Sequence, residues 1–160
     1  MAMQDFSHSL PMLLYRALDA VMPRFRRVFT AAGLTEQQWR VLRVLWERDE
    51  IAHNALAALT LIPQPSLIGV LDRLASNGLV ARRRSDTDRR VMYVSATRAG
   101  RGLEEQLMPE VAKVYAELKA SLDADTWQQL EFGLRTLAGE SPTVAAPTPR
   151  ASSTRSRKKT

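Results

Sequence analysis

A mainly α-helical chain with one small β-wing is the fold class predicted by three patterns in the sequence. The first is a pair of helical stretches around a tight turn. Leu56 and Leu59 lead to Leu61, Ile62 and Pro63, and then Leu67, Val70, Leu71 and Leu74 recur at the three-and-four spacing of one buried stripe. The second is a hairpin: Leu79 and Val80, a polar tip from Arg82 to Arg90, and an alternation through Val91, Tyr93 and Ser95. The third is a long apolar helical pattern at each end of the chain. Helix, turn, helix and basic hairpin, in that order, outline a winged helix-turn-helix flanked by terminal helices.

Taken in order, residues 1–8 read as an extended lead-in. Ser9 with Pro11 starts a helix, since proline is tolerated in a first turn. Leu10, Leu14, Ala17, Leu18, Val21, Phe25, Val28 and Phe29 give it a long apolar face, which Pro23 should bend, and Gly33 ends it. Thr35 with Gln38 predicts a capping box for the next helix, whose buried face is Trp39, Val41, Leu42, Leu45 and Trp46. Arg40 and Arg43 lie on its other sides. Ile51 and Ala52 can pair with the wing as a short third strand. His53 or Asn54 is expected to cap the helix that carries Leu56 and Leu59, and Asn77-Gly78 should stop the helix after it.

Past the hairpin, Thr97 reads as an N-cap for Leu103, Leu107, Val111, Val114 and Leu118, with another bend at Pro109. Asp123 caps a last helix with Trp127, Leu130, Leu134 and Leu137. The organisation is therefore a lead-in over 1–8, dimerisation helices over 9–33 and 98–139, a winged helix-turn-helix over 34–97, and a tail over 140–160. The tail is rich in Pro, Thr, Ser and Ala and ends in basic residues, a composition that predicts disorder. The terminal helices carry more apolar surface than a small monomer covers, so a homodimer is expected.

The outward side of the second short helix would carry Gln64, Pro65, Ser66, Gly69, Asp72 and Arg73. A glutamine pairs with adenine in a major groove, and a serine near a helix start reaches a base edge or a phosphate. Glycine at 69 costs about 1 kcal/mol in a helix relative to alanine, and close approach to a groove or a neighbouring helix would account for it. From Arg82 to Arg90 there are five arginines and two aspartates. Arg82, Arg84, Arg89 and Arg90 are the candidates for phosphate or minor-groove contacts. Asp88 can instead hold an arginine across the turn. Duplex DNA is the partner these residues imply.

Global charge carries little of this. The net charge is +6, but five of those charges belong to Arg150, Arg155, Arg157, Lys158 and Lys159 in the tail. The local cluster at the wing carries the argument.

Asp88-Arg89-Arg90 followed by Val91 to Thr97 resembles the wing signature of the MarR family of bacterial transcription regulators, an Asp-x-Arg, an apolar strand and a Leu-Thr. Ala96 stands where that family usually has leucine. Leu34 to Leu45 and Pro65 to Leu74 look most like its HpaR-type branch, which controls homoprotocatechuate and other aromatic-acid degradation. The match runs from about Ser9 to Gly139.

The resemblance implies an intertwined homodimer reading a pseudo-palindromic site, and an effector held between the dimerisation helices and the winged part. Here that region would be lined by His8, Ser9, Leu10, Met12, Leu13 and Arg16, with Trp39, Arg40 and Arg43. Arginine suits a carboxylate and tryptophan an aromatic ring, so a small aromatic carboxylic acid or its coenzyme A thioester is the expected effector. Arg16 also reads as an ion-pair partner of Asp19, and Trp39 as core. The expected role is a repressor of an aromatic-catabolism operon.

An enzyme is not expected. The two histidines, His8 and His53, are far apart, cysteine is absent, and no phosphate loop or metal-ligand spacing occurs, so neither cofactor nor metal is expected. Without cysteine there is no thiol switch either. No segment approaches the roughly 20 apolar residues of a membrane span and no signal peptide leads the chain, so a cytoplasmic location is expected. The competing reading is a winged-helix protein that binds DNA without sequence preference, or binds another protein.

Overall fold

The computed structural model describes residues 5–140. It has one turn of 3-10 helix at Phe6–His8, six α-helices and three short strands. The helices are α1 (Leu10–Ala31), α2 (Glu36–Trp46), α3 (His53–Thr60), α4 (Gln64–Ser76), α5 (Arg98–Ala120) and α6 (Ala124–Leu137). The strands are β1 (Ile51–Ala52), β2 (Val80–Arg84) and β3 (Met92–Ala96), paired antiparallel in the order β1-β3-β2. This is the mainly helical winged arrangement expected. The predicted disorder of the tail falls beyond Glu140, outside the described residues.

Helix ends follow the local signals closely. The Thr35 hydroxyl accepts the Gln38 N–H, and the Gln38 side chain accepts the Thr35 N–H, which completes the capping box of α2. Gly33 and Gly78 take left-handed conformations after α1 and α4. Leu34 and Leu79 then donate back to the carbonyls of Phe29 and Leu74, each at 2.9 Å, which satisfies helix-end carbonyls. Thr97 caps α5 through the Gly100 N–H.

Four local expectations need correction. The lead-in is not extended throughout, since His8 donates to the Asp5 carbonyl and closes a turn. Neither His53 nor Asn54 caps α3. Ala52 occupies the cap position because its pairing with Tyr93 holds it in β1, and the helix starts straight from the strand. Leu59 is half exposed, because the eight-residue α3 buries Leu56, Ala57 and Thr60 instead. The hairpin parity is the opposite of that expected. Val94 is fully buried while Val91, Tyr93 and Ser95 stay partly exposed.

The register accounts for that parity. Val94 lies opposite Ile51 on one side and Arg82 on the other. Paired residues share a sheet face, so Val80, Arg82, Arg84, Val94 and Ala96 lie on one side, and Ala81, Arg83, Tyr93 and Ser95 on the other. Arg82 to Arg84 thus belong to a strand, and the turn itself is shorter than expected.

One apolar core joins Phe25 and Phe29 of α1, Val41, Leu42, Leu45 and Trp46 of α2, the α4 stripe, Val80, Val94, and Leu107, Val111 and Val114 of α5. The chain divides into two compact units between Leu118 and Lys119, inside α5. The end of α1 and the middle of α5 share the core of the winged part. Pro23 and Pro109 both lie inside continuous helices. The apolar face of α1 is buried only at Phe25 and Phe29. Leu10 and Leu18 remain 51% and 56% exposed, so the described residues do not cover its first turns.

In the second unit α6 starts at Asp123, whose carboxylate accepts from the Thr126 N–H at 2.8 Å and from its hydroxyl at 2.6 Å. Those bonds hold the Asp123 carboxyl below the usual aspartate range. Leu130, Phe132, Leu134 and Leu137 are exposed along α6.

Candidate nucleic-acid interface

The axes of α3 and α4 differ by 103°, within the range of helix-turn-helix units. The bend is made at Leu61, whose φ of 53° is left-handed. A bulky residue there costs about 1 kcal/mol or more. The buried Ile62 beside it and the Arg40 guanidinium, which donates to the Thr60 carbonyl at 2.9 Å, hold the turn in place.

Inward from α4, Leu67, Val70, Leu71 and Leu74 are closed off from solvent. The opposite side presents Gln64, Pro65, Ser66, Asp72 and Arg73, exposed as expected, with Gly69 half-buried. A side chain added at Gly69 would meet nothing within 4 Å. Close packing on a neighbouring helix is therefore not the reason for this glycine. Ile68, 52% exposed on the same side, is a residue the apolar pattern passed over, although it stands three positions after Pro65.

The wing arginines separate into two groups. Arg82 donates to the Asp72 carboxylate at 2.7 Å and so joins the wing to α4. Arg83, on the other sheet face, grips Glu50 with two bonds of 2.8 and 2.6 Å, and its guanidinium lies 4.9 Å from the Tyr93 ring centre. The Glu50 bonds push its pKa further up. Arg84, Arg89 and Arg90 are exposed and make no ion pair among the described residues, and the same holds for Arg73.

The turn that carries Arg89 and Arg90 is held by short polar side chains. The buried Ser85 hydroxyl accepts the N–H groups of Thr87 and Asp88, at 3.3 and 3.2 Å. The Asp88 carboxylate accepts the backbone N–H of Arg90 at 2.9 Å, not its guanidinium, which corrects the expected arginine clasp. Neither the Arg89 nor the Arg90 guanidinium has an ion-pair partner among the described residues. Arg90 and Gln64 both line a cleft of about 230 Å³, together with His53, Asn54, Val91 and Met92. His53 Nε2 is buried there without a hydrogen-bond partner among the described residues.

The expected effector residues occupy different settings. His8 sits 3.5 Å from the Asp5 carboxylate, the Ser9 hydroxyl donates to the Phe6 carbonyl, Met12 is half-buried, and Arg16 is exposed. Trp39 stacks on Phe29 at 4.5 Å and meets Trp46 edge-on, so its ring is part of the core. Arg43 pairs with Glu47 at 2.7 Å. Arg40 keeps one buried donor, Nε, with no partner among the described residues.

Comparison with known proteins agrees with this geometry. The sequence profile described as the MarR family matches residues 34–92. The homoprotocatechuate degradative operon repressor of Escherichia coli is 36% identical over 122 residues, 76% of this chain and 82% of its own length. NadR, solved in complex with 4-hydroxyphenylacetate, superposes with a TM-score of 0.72 at 33% identity, over 86% of this chain and 98% of NadR. Bordetella bronchiseptica BpsR, whose structure concerns regulation of its DNA binding by 6-hydroxynicotinic acid, reaches 0.79 at 25% identity, over 88% of this chain and all of its own.

Proposed function

The chain belongs to the MarR family of transcription regulators, and on that premise we propose that it is a homodimeric, cytoplasmic repressor of an aromatic-acid catabolic operon, released from its operator by a small aromatic acid or the corresponding coenzyme A thioester. The observation that carries the DNA-binding half is the division of labour in the wing. Arg82 and Arg83 hold the wing to α4 and to Glu50, while Arg84, Arg89 and Arg90 make no ion pair among the described residues. Gln64, Pro65, Ser66, Gly69 and Arg73 supply the groove-facing side of α4, and Arg82 acts as a positioning residue.

The effector half rests on the named ligands of relatives, 4-hydroxyphenylacetate for NadR and 6-hydroxynicotinic acid for BpsR. Both are aromatic rings with a carboxylic acid. In this chain the effector would lie against His8, Ser9, Met12 and Arg16, with Trp39, Arg40 and Arg43 behind them. Support comes from the unpaired Arg16 and the buried unpartnered Nε of Arg40. The exposed leucines of α1 would be covered by a second copy. An effector that prefers a dimer with misplaced recognition helices shifts the population away from DNA by about 1 to 3 kcal/mol.

Fluorescence anisotropy on the duplex upstream of the gene, against a scrambled duplex and with a panel of aryl-carboxylic acids and thioesters, tests both halves. Specific binding released by one compound is the expected result. Replacing Arg89 and Arg90 with alanine should weaken binding to every duplex and reduce the dependence of log K on log salt by about two per protomer, or about four for the dimer. Equal affinity for both duplexes, indifferent to every compound, would leave only the nonspecific DNA-binding reading.

A further inference from the structure

Helix α4 carries two stripes of identical spacing. The inner one, Leu67, Val70, Leu71 and Leu74, fills the core. The outer one, Pro65, Ile68, Gly69 and Asp72, repeats the same three-and-four steps on the opposite side. Three of its four side chains cannot hydrogen-bond at all. The fourth, Asp72, is already engaged by Arg82 at 2.7 Å. The centre of the face turned toward DNA is therefore apolar, and its hydrogen-bonding groups stand at the margins: Gln64 and Ser66 at the start, Arg73 to one side.

Isolated exposed aliphatics are ordinary on protein surfaces, so exposure by itself assigns Ile68 nothing. Its surroundings do more. One end of the stripe is tied to the wing by the Asp72–Arg82 pair, and beside the other end Gln64 lines a cleft together with Arg90 of the wing. Arg84 projects from the same sheet face as Arg82, and Arg73, Arg84 and Arg90 have no ion pair among the described residues. Next to Ile68, Gly69 leaves bare backbone with open space beyond it. A fitting occupant is anionic at the edges and apolar in the middle. A major groove whose floor carries a thymine has that profile, with phosphates on both rims and the C5-methyl as the apolar group on a base edge.

Resting on the DNA-binding reading above, we infer that Ile68 reads a thymine 5-methyl in each operator half-site, with the bare backbone at Gly69 allowing the helix to come close enough. Specificity at that base pair is set by an apolar contact, and polar readout is confined to Gln64, Ser66 and Arg73.

The test uses full-length protein and the tightest duplex it selects from a random pool, with each thymine replaced in turn by uracil, which removes only the methyl. One position per half-site should lose about fourfold in affinity, the value of one buried methyl. Ile68→Ala should bind that duplex more weakly and no longer distinguish thymine from uracil there, a non-additivity that marks direct contact. Sequence-specific binding indifferent to uracil at every position would overturn the thymine contact and leave the regulator reading standing. The same holds if Ile68→Ala stays as sensitive to uracil as the parent. If no selected duplex outcompetes scrambled DNA, both readings fail together. Ile68 is half exposed, so its truncation leaves the fold intact, which a matching circular dichroism spectrum checks.

Discussion

Helices α4 and α1 make the same promise in sequence and keep it differently. Each carries aliphatic residues at three-and-four spacing along one side. In α4 the stripe closes into the core with essentially no exposure, while in α1 only Phe25 and Phe29 do so and Leu10, Leu14 and Leu18 stand in solvent. The difference lies in what each helix faces. Packing within one chain completes α4, because α2, α3 and β2 surround it. The first turns of α1 extend beyond that core, and their stripe stays uncovered by the described residues. An apolar periodicity thus announces burial without saying against what.

Truncating both stripes should break the symmetry most strongly. Leu71→Ala is expected to cost about 2 to 5 kcal/mol of unfolding free energy in a urea titration, since it opens a cavity in close-packed surroundings. Leu18→Ala should stay within about 0.5 kcal/mol of the parent at low protein concentration, and should instead weaken self-association in sedimentation experiments. A comparable loss of intrachain stability from both would mean that the exposed stripe packs within the chain in solution.

The next effect concerns how α4 is held at its far end. Thr97 donates to the Gly78 carbonyl at 2.6 Å, its own N–H bonds the Leu79 carbonyl, and Trp46 Nε1 donates to the Gly100 carbonyl at 2.8 Å. A Cβ at position 100 would collide with the Leu79 carbonyl oxygen. Gly100→Ala should therefore destabilise by about 1 to 3 kcal/mol and weaken DNA binding by displacing the junction of α4 and β2. Unchanged thermal stability would show that the backbone there yields freely.

The smallest effect should come from α6. The folded Asp123 carboxyl titrates below its unfolded value because it accepts from Thr126. The cap therefore contributes fully at neutral pH, and that contribution fades as pH falls below the ordinary aspartate value of about 3.9. Asp123→Asn, which keeps an acceptor without the charge, should flatten that part of the stability-pH curve. A curve that keeps its shape in the variant would assign the acid loss to other carboxylates.

Legibility in the sequence followed distance along the chain. The Thr35–Gln38 box, the Asp123 and Thr97 caps and the glycine stops at Gly33 and Gly78 involve partners within a few residues, so residue type and spacing determined them. The α4 stripe was legible for the same reason, and with it most of the helix's solvent-facing side. The wing was legible as a basic hairpin but not in its parity. Val94 is buried because β3 runs between β1 and β2, and Ile51 lies far from it in sequence.

The roles of single arginines belonged to tertiary structure altogether. Arg82, Arg83 and Arg84 are consecutive and chemically identical, yet one holds Asp72, one holds Glu50 and the third has no ion pair among the described residues. Trp39 suited the core and, less well, a pocket wall; Phe29 and Trp46 against its ring place it in the core. The sequence by itself determined where helices begin and end, which stripe of α4 turns inward, and that a basic hairpin follows, since those depend on backbone propensities and near neighbours. Only the folded chain decided which charges are neutralised by a partner and which remain available for phosphate, because an ion pair between residues 33 positions apart exists only once the sheet has brought them together.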